Sequence, residues 1–170
     1  MVTGPGAYGD TRWLNRLPFH EEVNKMTPEQ NKATLRGLLE EVVNQKKIAA
    51  FDEVTTPDFI EHEPLAPGLP PNREGTKQFF AVAIKAFPDL RVTIDDEIAT
   101  GDKVVVRSTW TGTHQGEFQG IGPTGKRVTF QVIDICRFEN GKLVEHWGQT
   151  DALGLLQQLG AIPAPGSAGR

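Results

Sequence analysis

The sequence predicts an α+β fold, a curved antiparallel sheet wrapped around helices from the first half of the chain, with an internal cavity between the layers. Three observations carry this. Apolar residues recur at helical spacing through the stretch from residue 27 to residue 87, and the period changes to two from residue 90 onward. Short turn signals join the alternating stretches, so successive strands pair as hairpins. Helices grouped ahead of such strands must cover one face of the sheet, and a strongly wrapped sheet leaves a cone-shaped hollow beneath them.

The first helix opens at "TPEQNKATLRGLLEEVVNQ", where Thr27 is the N-cap, Pro28 takes the first helical position and Gln30 completes a capping box. Leu35, Leu38, Leu39, Val42 and Val43 form its apolar stripe. "KKIAAFDEV" reads as a second, short helix, and "TPDFIEHEP" as an extended segment. The proline-stiffened loop "PLAPGLPPN" leads into a third helix, "REGTKQFFAVAIKAF", with Phe79, Val82, Ala83 and Phe87 on one side and Pro88 as its stop. Four strands follow: "LRVTIDDEIA", "VVVRSTWTGTHQ", "KRVTFQVIDICRF" and "LVEHWGQT". The turns between them are "TGDK", a glycine-rich loop and the Asn-Gly hairpin of "ENGK". "DALGLLQQLG" closes the domain as a helix capped by Asp151 and stopped at Gly160.

This gives one domain over residues 26–162, with an extension of residues 1–25 before it and a tail of residues 163–170 after it. The extension lacks periodicity and reads as partly disordered, although Trp13, Leu14, Leu17 and Phe19 could dock on the body or on a partner. It lacks the basic-then-apolar order of a secretory signal. A net charge of −4 offers no electrostatic case for nucleic acid or an anionic membrane, and no stretch has the length of an apolar span. The single cysteine, Cys136, forbids an internal disulfide and fits a cytoplasmic location.

The residue that asks for an explanation is Asp134. In "VTFQVIDICRF" it shares a face with Val128, Phe130, Val132, Cys136 and Phe138. A carboxylate among apolar neighbours either finds donors or binds its proton more tightly, which suits a general base. The other reading is a carboxylate that ties down backbone amides or an arginine. On the neighbouring strand His114 shares the side of Val104, Val106, Ser108, Trp110 and Gly112. It could donate to a substrate oxygen or pin the glycine-rich loop. Arg107 lies on the opposite side, where it packs elsewhere or pairs on the outer surface. In "EHE", alternation puts His62 opposite Glu61 and Glu63, which is no ready metal site, and His62 is either at a cavity mouth or an ordinary loop histidine. His146 and Trp147 point to opposite faces of the last strand, with Trp147 in the core or the cavity wall. Metal-ligand spacing, a P-loop and a nucleophile elbow are all missing, so the chemistry expected is cofactor-free acid–base work in an apolar pocket.

"AFPDL", "GDKVVVRSTWTGTHQGEFQGIGPTGK", "IDICRFENGKLVEHWGQTD" and "LLQQLG", in that order, resemble the SnoaL-like polyketide cyclase (ester cyclase) family over about residues 27 to 162. The resemblance implies the NTF2-like cone fold and a reaction without metal or cofactor: intramolecular aldol closure of a ring in a small polyketide-like molecule. It implies that Asp134 is the catalytic carboxylate, and it carries the "GTHxG" histidine onto His114 and the "xxHxP" histidine onto His62. His114, or a water it holds, would then stabilise the developing alkoxide. Phe59, Phe79, Phe87, Trp110, Phe130 and Trp147 would join His62 in binding an apolar or aromatic substrate. Two alternatives stay open. One is related cofactor-free chemistry, such as epoxide opening, isomerisation or dehydration. The epoxide hydrolases of the superfamily use an Asp–Arg–Asp set, and no second strand carboxylate joins Asp134 and Arg107 here. The other is a non-catalytic dimer that binds small molecules. Folds of this kind usually pair through the exposed sheet face, so a homodimer is expected, with the row Arg107, Thr109, Thr111 and Thr113 as its contact.

Overall fold

The computed structural model describes residues 26–163, so the extension of residues 1–25 and most of the tail lie outside the described residues. Four α-helices and five strands follow one another as α1 (Pro28–Leu39), α2 (Ala50–Val54), β1 (Thr55–Glu61), α3 (Arg73–Ala86), β2 (Arg91–Thr100), β3 (Lys103–Thr113), β4 (Arg127–Glu139), β5 (Lys142–Thr150) and α4 (Ala152–Leu159). The expected capping box closes the start of α1. Thr27 Oγ1 accepts from the Gln30 N–H at 3.2 Å, and Gln30 Oε1 accepts from the Thr27 N–H at 2.8 Å. The helix then runs on into a π-helical turn, Glu40–Asn44, that buries Val42 and Val43.

The sheet order is β1-β5-β4-β3-β2. Strands β2 to β5 pair antiparallel with their chain neighbours, as the hairpin signals require. Asn140 and Gly141 both have positive φ in the β4–β5 turn, the conformation that Asn-Gly favours. The fifth strand departs from expectation. "TPDFIE" does not simply run extended; it forms β1, which joins the far edge parallel to β5 with Glu61 beside His146.

Bulges bend the sheet. Asp95 is an extra residue on β2 between Ile94, which pairs with Ser108, and Asp96, which pairs with Arg107; Val144 is an extra residue on β5 between Leu143 and Glu145. Such insertions increase local twist and aim the strands inward. Helix α1 lies against β2 and β3, α3 against β1, and α4 against β4. Between them the core collects Leu35, Val43, Phe51, Phe59, Ala86, Phe87, Val104, Val106, Val128 and Phe138. Val82, placed on the buried stripe of α3 by spacing, is instead 46% exposed. The alternation of β4 holds: Val128, Val132, Asp134, Cys136 and Phe138 are buried, while Ile133 and Ile135 face outward. No helix among the described residues is long and apolar enough to cross a membrane.

Candidate active site

A cavity of about 220 Å³ opens between the sheet and the helices. Its walls are mainly apolar, from Leu35, Phe79, Phe80, Trp110, Phe118 and Phe130 among others. Apart from Gln119 of the glycine-rich loop, its polar groups gather around β1, β5 and β4: Glu61, Glu63, Thr76, Asp134, His146 and Thr150.

Strand register builds this cluster. On β5 the inward residues are His146, Gly148 and Thr150; on β4 they are Val132, Asp134 and Cys136. Gly148 stands directly opposite Asp134, and His146 is one diagonal step away, opposite Cys136. A histidine reaches across such a diagonal. His146 Nε2 lies 3.0 Å from Asp134 Oδ1, and its Nδ1 lies 2.8 Å from Glu61 Oε1 and 2.9 Å from Oε2. Both ring nitrogens face carboxylates, so both carry protons and the ring is an imidazolium. Burial alone would push its pKa down. The hydrogen bonds and charges of Asp134 and Glu61 outweigh that and hold it up at about 10.

The two carboxylates differ. Glu61 is 2% exposed and saturated, since besides His146 it accepts from Thr76 Oγ1 at 3.3 Å and from the Glu63 N–H at 2.9 Å. Asp134 uses Oδ1 for His146, and its Oδ2 has no hydrogen-bond partner among the described residues. Asp134 is thus neither clamped to an arginine nor bathed in solvent; it is 8% exposed at the floor of the cavity. Glu63 lies two residues past β1, and its Oε1 accepts from Thr150 Oγ1 at 3.0 Å. Burial pushes its carboxyl above the ordinary value; Thr150 and His146 pull the other way without cancelling it.

The aromatic candidates Phe59, Phe79, Phe87, Trp110 and Phe130 all line the cavity. Trp110 donates Nε1–H to Ser108 Oγ at 2.9 Å, which leaves its ring face to stack on Phe130 at 6.2 Å. Three candidates need correction. Trp147 is not cavity wall: the extra residue Val144 shifts β5 by one, which turns Trp147 outward and His146 inward. His62 is not at the cavity mouth. It is exposed on the outer side, stacked on Trp147 at 4.5 Å, with Glu145 at 3.8 Å from its Nε2. His114 does not reach the cavity lining. It is fully buried behind Phe87, and its Nδ1 meets the Thr124 hydroxyl at 3.1 Å and accepts from the Thr124 N–H at 3.3 Å. It therefore pins the glycine-rich loop, and burial lowers its pKa. Arg107 pairs outside with Asp95, at 3.1 Å. Glu61, Glu63, His146 and Phe118 are cavity residues that sequence reading alone did not single out as site residues.

A family model, SnoaL-like polyketide cyclase, matches residues 33–159, about three quarters of the chain. The chain belongs to the SnoaL-like polyketide cyclase family. Membership places it among enzymes of the cyclase type. Aklanonic acid methyl ester cyclase DauD of Streptomyces sp. (strain C5) is 28% identical over 130 residues, covering 68% of this chain and 78% of that protein. Nogalonic acid methyl ester cyclase of Streptomyces nogalater is 26% identical over 117 residues, covering 64% and 82%. Among solved structures, wild-type IdmH from Streptomyces antibioticus superposes with a TM-score of 0.68 at 34% identity, over 77% of this chain and 99% of that one. TsrD from Streptomyces laurentii gives 0.73 at 28% identity, over 81% and 99%. The fold is the NTF2-like cone that the family resemblance implied.

Proposed function

We propose that this SnoaL-like protein closes a ring in a small polyketide-like molecule by intramolecular aldol addition, with Asp134 as the general base. One observation carries the reading. An ionisable carboxylate stands at the floor of an apolar cavity with one oxygen held by a cationic histidine and the other unpartnered.

The chemistry follows from that placement. Asp134 Oδ2 takes a C–H proton beside a carbonyl, and the C–H electron pair becomes an enolate. The enolate carbon attacks a second carbonyl of the same molecule. A C–C bond forms, and the carbonyl π pair moves onto oxygen as an alkoxide, which must then take up a proton. Phe79, Phe80, Trp110, Phe118 and Phe130 hold the chain folded so that the two carbons meet, which removes much of the entropic barrier. His146 keeps Asp134 oriented, and its positive charge compensates the two carboxylates that flank it.

Nogalonic acid methyl ester, the compound in one relative's name, is the first substrate to try. Asp134→Asn keeps the shape and removes the base, so turnover should fall by about 10²–10⁴. Unchanged turnover would refute the role of Asp134. A wild-type protein that binds such esters without changing them would be a carrier.

We further propose a homodimer through the outer sheet face. Arg107 and Thr109 are engaged with Asp95, so the expected polar row is a poor contact. A cross-strand row of Ile98, Val105, Ile135 and Trp147 offers a continuous apolar one, with Ile98 63% exposed.

A further inference from the structure

We propose that Glu63 is a second catalytic residue of this site, delivering a proton to the alkoxide oxygen that ring closure creates. The inference rests on the aldol reading above and assigns the step which that reading leaves open.

The geometry singles out Glu63. Its carboxyl occupies the side-chain space of position 148: a Cβ built on Gly148 would lie 2.2 Å from Glu63 Oε2. Gly148 is the cross-strand partner of Asp134, and side chains at such paired positions lie about 5 Å apart. The absent side chain of one strand has been replaced by a carboxyl from the segment after β1, set beside the base. Thr150 holds Oε1 at 3.0 Å, and Oε2 has no hydrogen-bond partner among the described residues. Both residues line the same cavity, so one guest lies within reach of both carboxyls.

The two carboxyls also sit in contrasting surroundings. Asp134 contacts the His146 imidazolium directly. Glu63 has no cation in hydrogen-bond contact among the described residues; Glu61, Asp134 and His146 are the charged groups that face it, and burial favours its neutral form. A carboxyl in contact with a cation and a second one buried beside it without such a contact divide the work of base and acid between them. Protons then balance. Asp134 gains the C–H proton, Glu63 loses its own to the alkoxide, and a proton passed from Asp134 to Glu63 across Gly148 restores both.

The test has a part that needs no substrate. In ¹³C-labelled full-length protein, the carboxyl signal that disappears in Glu63→Gln should titrate above the ordinary glutamate range. A signal titrating at or below that range overturns the proposal. With nogalonic acid methyl ester as probe, Glu63→Gln keeps the shape and the Thr150 hydrogen bond. Its kcat should fall by about 10²–10³ with KM nearly unchanged, and the alkaline limb of the wild-type pH profile should vanish. Thr150→Val removes a donor that favours the ionised form, so it should move that limb to higher pH. A Glu63→Gln enzyme within about twofold of wild type overturns the inference. If Asp134→Asn is inactive in the same assay, the aldol reading survives that failure; if both variants turn over normally, the reading itself has failed.

Discussion

Replacing His146 by glutamine tests the electrostatic centre of the site without any substrate. An imidazole raised from its ordinary 6.5 to about 10 binds its proton far more tightly in the folded protein than in the unfolded chain. At about 1.4 kcal/mol for each tenfold change in proton affinity, that corresponds to about 4–5 kcal/mol. Because the folded pKa is the higher one, this contribution is fully present below about pH 6.5, where both states hold the proton. Between about pH 6.5 and 10 only the folded state holds it, so stability should fall by about 1.4 kcal/mol per pH unit, and the contribution is gone above that window. Urea unfolding at a series of pH values reads this as the difference between wild type and His146→Gln. Near pH 6 the variant should be less stable by about 3–5 kcal/mol, because Glu61 and Asp134 are left buried without their cation. The gap should narrow as pH rises. Parallel curves across the whole window would refute the assignment of a charged, doubly bonded His146.

Two more expectations follow from other parts of the fold. A helical glycine usually gains stability on conversion to alanine, but a Cβ at Gly75 would lie 1.9 Å from the Pro70 carbonyl oxygen, so Gly75→Ala should lower the unfolding free energy measured in urea by about 1–3 kcal/mol. Ile135→Lys puts a charge in the middle of the outer apolar row and should convert a dimeric sedimentation mass to a monomeric one. A wild-type protein that already sediments as a monomer would refute the dimer.

The inward aim of Asp134 was legible because β4 alternates without interruption for eleven residues, and alternation in a paired strand leaves only two faces. The same logic failed one strand later. A two-residue Asn-Gly hairpin that pairs Glu139 with Lys142, carried on without a break, would bring Trp147 opposite Asp134. The extra residue Val144 moves the pairing by one, so Gly148 takes that place and His146 turns in. Nothing in "KLVEHW" marks a bulge, because its residues suit either register. The parallel partner of β1 was invisible for another reason. The pairing joins it to residues more than eighty positions away, and no local turn announces it. His114 could be placed beside the glycine-rich loop, but its partner depends on Thr124 folding back across that loop. The aromatic lining was easier to read, since Phe59, Phe79, Phe87, Trp110 and Phe130 needed only to face inward from known elements.

The bond between Glu61 and His146 spans 85 residues of chain. A ribosome releases the glutamate long before it has made its counter-ion, and β1 has no strand of the sheet to pair with until β5 exists. The charged centre is therefore among the last features to assemble as the chain emerges, and a nascent polypeptide halted before residue 146 carries the oily half-cone without the means to act on anything it binds.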